Sequence, residues 1–340
     1  MGLAENTNMQ FKAARTLTAV LFIGIVCSCA DTSDGSTESP SSYAAAADLG
    51  CFCDRLPRPA YASLEKHEVS NDWFEVYEVV PDTWAIYEPF QWQEVISYLI
   101  VGDESAVLFD TGNGIGDIKS VVDQLTDKQV RVLNSHSHFD HIGGNYQFEE
   151  ILSVSTPFSL SKTKGAQNEE ILLEVSRDAL CKGLPDGVNE KDHRTRPFSI
   201  SGRIKDGDVL DLGGRQLEVL QVPGHTDDAI ALLDRDAGFL WSGDSFYEGP
   251  IWLFAPETDL PRYQASVARM AALAPDLKAV FPAHNTPKAD PALLIELRDK
   301  LDQVLAGKIE PSTSSDGTVE FRFRDFGLLM RDDYYLVDQD

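Results

Sequence analysis

The sequence predicts an α+β fold in which two β-sheets pack together beneath outer helices. Three observations carry this. From Trp73 onward the chain is a succession of short runs, many alternating apolar and polar residues, between Pro, Asp and Gly turn signals. Twice, such a run leads through an amphipathic stretch of helical spacing into another apolar run. The order is strands and a βα unit, then strands and a second βα unit, which suits two sheets covered by helices. No repeat of about 20–50 residues is visible, which argues against a solenoid or propeller.

The elements follow in order. Trp73 to Val80, Trp84 to Tyr87 and Val95 to Val101 read as strands broken by Pro-Asp and Gly-Asp turns. Ser105 to Phe109 is a short buried strand that delivers Asp110-Thr111-Gly112. Ile118, Val121, Val122 and Leu125 mark a helix, and Val130 to Leu133 is the next strand. Leu160 to Leu184 reads as one or two helices, followed by a polar loop to Pro197. Strands resume at Val209 to Leu212, Gln216 to Gln221, Ala229 to Leu233 and Phe239 to Trp241. Tyr263 to Leu273 is an amphipathic helix, Ala279 to Phe281 a short strand and Pro291 to Leu305 a surface helix. Thr318 to Phe323 alternates like an edge strand.

The chain has 340 residues and a formal net charge of −26. Such acidity repels phosphate backbones, and no basic patch stands against it, so nucleic acid is excluded as a partner. With 43% hydrophobic and 25% charged residues the composition is that of an ordinary globular chain. Five Cys are too few for a disulfide scaffold.

Residues 1–28 read as a signal sequence. Lys12 and Arg15 precede the apolar run Leu17 to Val26, which is too short to span a bilayer. Val26-Cys27-Ser28-Cys29 resembles a bacterial lipobox, which implies a lipid on Cys29 and a place in the cell envelope, periplasmic or attached to the outer membrane. A plain cleaved signal is the alternative. Residues 29–50, rich in Ser, Thr, Asp, Ala and Pro, read as a flexible tether. Residues 51–72 read as a lead-in, 73–290 as the main domain, and 291–340 as a C-terminal helix and edge strand. Cys51 and Cys53 are too few for a structural zinc site. A disulfide from one of them to Cys181 suits an exported protein and leaves one thiol over, so none is assigned a function.

The chemistry sits in His136-Ser137-His138-Phe139-Asp140-His141, which follows a strand and holds three of the chain's seven His. Residues i and i+2 of an extended chain point the same way, so His136 and His138 can grip one ion. Asp140 and His141 lie past them, where the chain turns into a helix, and face a second position; Gly143 and Gly144 let the backbone turn tightly there. His225 and His284 follow strands in turn-rich settings, whereas His67 and His193 lack such a context. Asp244 ends an apolar strand, as a helix cap or a metal ligand would.

With these residues in this order, the chain resembles the metallo-β-lactamase superfamily over roughly Trp73 to Pro287. The resemblance implies a four-layer αββα sandwich with the site at one edge of the two sheets. It implies that His136, His138 and His225 hold one ion, that Asp140, His141 and His284 hold the other, and that Asp244 bridges them. Asp110 would support the ligands from behind. Imidazoles and carboxylates without thiolate favour two zinc ions, with manganese or iron left open. Two ions about 3.5–4 Å apart would hold a hydroxide and polarise a carbonyl, with Asp140 orienting the one and passing a proton to the leaving group.

The fold does not settle the substrate. Asp244 stands where the true β-lactamases of the family carry Cys or Ser, and looks instead like glyoxalase II, the lactonases and the thioesterases. The segment Asp206 to Asp244 looks most like the acyl-CoA thioesterase-like branch, yet no Lys/Arg cluster suits CoA or glutathione. The expectation is therefore a hydrolase of a small-molecule ester, lactone or thioester, reached at the membrane only through the lipid on Cys29. A β-lactam amide, or a mononuclear-iron persulfide dioxygenase, is the alternative. Phe246, Tyr247, Trp252 and Phe254 would wall an acyl or aryl pocket with Phe90 and Trp92 as a flap; equally, these aromatics would serve as core under the Tyr263 to Leu273 helix.

Overall fold

The computed structural model describes residues 49–315 and 317–336. The expected signal sequence, Cys29 and nearly all of the tether lie outside the described residues. Among those described, no helix is long and apolar enough to cross a membrane.

The first sheet holds eight strands in chain order: β1 (Glu65–His67), β2 (Glu75–Val80), β3 (Thr83–Tyr87), β4 (Ile96–Val101), β5 (Ser105–Phe109), β6 (Gln129–Leu133), β7 (Ile151–Ser153) and β8 (Gly202–Arg203). Strands β1 to β5 pair antiparallel, as tight turns require, and β5 to β8 pair parallel. The next strands are β9 (Val209–Asp211), β10 (Gln216–Gln221), β11 (Ile230–Asp234), β12 (Phe239–Gly243), β13 (Pro250–Leu253) and β14 (Ala279–Pro282). The last are β15 (Thr313–Ser315), β16 (Thr318–Arg322) and β17 (Gly327–Arg331). The second sheet runs β14-β12-β11-β10-β9 and a third runs β13-β17-β16-β15.

Each parallel step needs a helical crossover. Between β5 and β6 it is α1 (Ile118–Leu125), capped by Asp117 and turning Ile118, Val121 and Val122 inward. Three short helices follow, α2 (Phe139–Ile142), α3 (Pro157–Lys162) and α4 (Glu169–Leu173). Between β12 and β14 the crossover is α5 (Leu260–Leu273), capped by Asp259, beside which lies α6 (Ala292–Leu305).

The core forms three layers that reproduce an αββα order. Tyr98, Phe109 and Leu133 of the first sheet meet Leu217, Leu232, Trp241 and Phe281 of the second. The outer face of the first sheet packs on α1, and that of the second on α5, α6 and the third sheet. Each large apolar side chain buried this way stabilises the fold by about 1.5–3 kcal/mol.

Three expectations need correction. The stretch from Leu160 to Leu184 is not a continuous helix pair: Gly165, in the left-handed region at φ +70°, and the caps at Asn168 and Ser176 break it into short turns. The run at Thr318 is not an edge strand, because β16 is flanked by β15 and β17; its alternation reports one buried face, carried by Val319 and Phe321, not an unpaired side. Gly143 and Gly144 take ordinary negative φ; glycine is required there by close approach, since a Cβ would meet the backbone of Asn113 at 2.3 Å and of Thr111 at 2.6 Å. The lead-in is tied to the 166–197 segment by a disulfide between Cys53 and Cys181.

Candidate metal centre

Five strand ends converge at one edge of the sandwich. β5 delivers Asp110, β6 the His136–His141 segment, β10 His225, β12 Asp244 and β14 His284. All seven ligand-type side chains are buried except His138, which is partly exposed.

Hydrogen bonds behind the ligands decide where each ring points. His225 donates Nδ1–H to the Trp252 carbonyl at 2.9 Å, and His284 donates Nδ1–H to the Gln93 carbonyl at 2.8 Å. A carbonyl only accepts, so the proton of each neutral ring is on Nδ1 and the other nitrogen, Nε2, is the one that faces the site. Asp110 holds His141 Nδ1 at 3.0 Å and accepts from the Ser135 backbone at 2.6 Å, from a left-handed backbone at φ +70°. Such strain persists only where the surroundings over-determine it. His138 is reversed: its Nε2 lies 2.8 Å from Glu257, which leaves Nδ1 inward.

Three imidazole nitrogens therefore crowd one point. His138 Nδ1 lies 2.8 Å from His136 Nε2 and 3.1 Å from His225 Nε2. Burial pushes the His225 ring down to about 4 and the His136 ring well below the usual range. With Nδ1 of His225 on the Trp252 carbonyl and Nε2 of His138 on Glu257, the remaining nitrogens of the two rings face each other, an arrangement that suits a cation between them. Tetrahedral zinc would set such nitrogens about 3.3 Å apart.

Beside this lies a second grouping of Asp140, His141 and His284. Asp140 Oδ2 is 3.2 Å from His141 Nε2 and 3.7 Å from His284 Nε2. Asp244 divides its two oxygens between the groupings. Oδ2 lies 4.0 Å from His136 and 3.7 Å from His225, while Oδ1 lies 3.3 Å from His141 and 3.1 Å from His284. Among the described residues, His141 Nε2 and Asp244 Oδ1 are buried without a hydrogen-bond partner. Burial lowers the His141 and His284 rings, but neighbouring carboxylates, Asp140 and Asp244 foremost, more than reverse it. The pair of buried carboxylates thus calls for positive charge, and the donor set suits metal ions at both groupings.

The aromatics expected around a pocket separate into two sets. Trp92, Trp252 and Phe254 are half-buried and form a row, with ring centres 5.6 Å and 5.3 Å apart. Tyr247 is buried, with its ring 5.0 Å from that of His284. Phe246, expected on the wall, is fully buried in the core under α5 and meets Phe326. Phe90 packs on Trp73 and under Lys182, so it does not join the row.

Several residues around the site carry no sequence signal. Glu257 orients His138 from a loop more than a hundred residues downstream. Glu174 accepts from the Trp92 indole at 2.7 Å and from Gln91 at 2.6 Å, its carboxyl pushed up to about 8 by burial and by Asp140. Phe158 packs edge-on against His138 at 5.9 Å.

The sandwich and its buried His/Asp clusters define a metal-dependent hydrolase class. Residues 92–310 match the model of the metallo-beta-lactamase superfamily, to which the chain belongs. The acyl-coenzyme A thioesterase MBLAC2 of Bos taurus is 28% identical over 201 residues, 55% of this chain and 71% of that protein. A hydroxyacylglutathione hydrolase of Shewanella halifaxensis is 32% identical over 173 residues, 50% of this chain and 54% of that protein. The solved structure of a metallo-beta-lactamase family protein of Thermus thermophilus shares the fold, with a TM-score of 0.51, 23% identity and coverage of 68% of this chain and 82% of that one.

Proposed function

We propose that the protein is a dinuclear zinc hydrolase that cleaves an ester, thioester or lactone bond of a small acyl substrate. The observation that carries this reading is Asp244, whose two oxygens face two adjacent groupings of ligand-type side chains. His136, His138 and His225 would hold one zinc, and Asp140, His141 and His284 the other. When bound there, zinc supplies a Lewis acid for the substrate carbonyl and water acidified toward neutral pH.

The chain's own residues do the rest. Asp140 sits where a carboxylate can take a proton from the attacking water and deliver it to the leaving oxygen or sulfur. Asp110, Glu257 and the carbonyls of Gln93 and Trp252 hold the imidazoles in fixed tautomers, so no reorientation is needed during the reaction. The Trp92, Trp252 and Phe254 row offers an apolar face for an acyl or aryl group and keeps water from that side. Trp252 both contributes to this row and carries His225 on its carbonyl.

The names of the relatives support acyl transfer to water as the reaction class, and a thioester as one candidate bond. Export as an envelope lipoprotein anchored at Cys29 is part of the same proposal. The basic and apolar leader supports it, and so does a disulfide between cysteines 128 residues apart, since such bonds persist in oxidising compartments.

The test is a panel of p-nitrophenyl esters, acyl-homoserine lactones, acyl thioesters and nitrocefin on zinc-loaded protein. The reading expects at least one acyl ester, lactone or thioester to be hydrolysed with a kcat/KM well above that for nitrocefin, and chelation to abolish it. Hydrolysis that survives exhaustive chelation, or turnover of nitrocefin alone, overturns it.

A further inference from the structure

A buried ion pair reaches the metal centre from the lead-in, a segment outside the residues that match the family. Arg58 Nε lies 2.8 Å from each carboxylate oxygen of Glu94, and its Nη2 also donates to Glu94 and, at 2.9 Å, to Asn285 Oδ1. The Tyr87 hydroxyl donates to Glu94 as well, and the Tyr87 ring stacks on Tyr61 at 4.3 Å. The two side chains of the pair are 15% and 1% exposed, so this is no surface contact.

The partners of Arg58 flank a metal-centre residue on both sides. Glu94 follows Gln93, whose carbonyl accepts from His284 Nδ1, and precedes Val95, which bridges to His284 in the backbone. Asn285 follows His284, and its amide donates to the Glu94 carbonyl at 3.2 Å. Glu94 and Asn285 both sit in the left-handed region, at φ +49° and +66°. Neither is glycine, so something must hold them there. Arg58 bonds both side chains at once.

We propose that Arg58 is a positioning residue for His284. By neutralising Glu94 and gripping Asn285, it locks the two strained residues around the Gln93–His284 contact and aims His284 Nε2 at Asp140 and Asp244. The inference rests on the proposed two-ion site for its metal readout, but not for its structural one. The lead-in is thereby a working part of the centre, held in place by the Cys53–Cys181 bridge five residues before Arg58.

The test uses the full chain with Arg58→Lys, and with Arg58→Met combined with Glu94→Gln so that no buried charge is left unpaired. Amide hydrogen exchange in the metal-free protein is read over residues 93–96 and 283–286, and zinc affinity is read by chelator competition. In the double variant, exchange over those residues speeds up about tenfold or more, and one zinc affinity falls about 10–100-fold while the other is unchanged. Arg58→Lys, which keeps the charge but loses the fork, falls between wild type and the double variant. Unchanged exchange in the double variant, or an equal fall in both affinities, overturns the proposal. If wild-type protein takes up a single ion, the two-ion reading fails and the exchange data still decide the role of Arg58. If the double variant does not fold, exchange in Arg58→Lys decides it, and wild-type rates there are the overturning result.

Discussion

Removing the Cys53–Cys181 bridge by Cys53→Ser with Cys181→Ser tests how firmly the lead-in belongs to the fold. Both cysteines are replaced so that neither thiol of the bridge is left unpaired. The bridge spans 128 residues. Closing a loop of that length lowers the entropy of the unfolded chain enough to stabilise the native state by about 5 kcal/mol at 25 °C. Native bridges more often deliver about 2–5 kcal/mol. The lower part of that range is expected here if other contacts, such as buried Phe52 and Tyr61 and the Arg58–Glu94 pair, keep the lead-in docked. For a chain of 340 residues the loss corresponds to a fall in Tm of about 3–7 °C. The assay is urea and thermal unfolding of oxidised wild type beside the double variant, with a non-reducing peptide map of the wild type. The bridge also anchors the backbone that carries Trp92 of the aromatic row, because the Cys181 amide donates to the Phe90 carbonyl at 2.8 Å and the Trp92 amide donates to the Ala179 carbonyl at 3.1 Å. KM is therefore expected to rise with the loss of stability. A map that finds Cys53 and Cys181 unpaired, or a stability difference below about 1 kcal/mol, would refute the reasoning.

Three further outcomes are expected. Trp252→Ala should raise KM about tenfold for bulky acyl esters and much less for acetyl esters, since it removes the middle ring of the aromatic row; an equal change for both would show that the row does not hold the acyl group. Asp140→Asn should lower kcat by about 10²–10⁴ with Tm nearly unchanged, and retained turnover would remove Asp140 from the chemistry. Glu88, which accepts from the Trp73 indole and the Asn113 amide, has its carboxyl pushed up to about 7 by burial. Its folded value lies above its unfolded one, so the folded state holds the proton more tightly and this group costs stability as pH rises from about 4.5 to 7, by about 3 kcal/mol. Glu88→Gln should therefore gain stability on wild type between pH 5 and pH 8 in urea unfolding, and a difference independent of pH would contradict the assignment.

The legible parts of the molecule were those in which neighbours in sequence act together. Ser105–Phe109 and Gln216–Gln221 have the bounds that their apolar patterns predict, and α1 follows its 3/4 spacing. The cluster at His136–His141, and the strand-end settings of His225, Asp244 and His284, were visible for the same reason. What stayed hidden depends on long-range closure. Glu257 reaches His138 across 119 residues, and Arg58 reaches Asn285 across 227, so no local pattern signals either. The strands β13 and β17 pair parallel although α5, β14 and α6 lie between them in the chain, so no local pattern signals the pairing. The aromatic segment after Asp244 misled in part because an apolar run does not say which of its side chains meet the core; Phe246 went inward while Trp252 and Phe254 stayed half-buried.

In the proposed reaction centre one carboxylate, Asp244, would join two metal positions. Metal content of the purified protein, measured by mass spectrometry against protein concentration after dialysis, tests it most directly. Two zinc ions per chain are expected, falling to one or none in Asp244→Ala. A single iron per chain, with oxygen consumed on turnover, would contradict it.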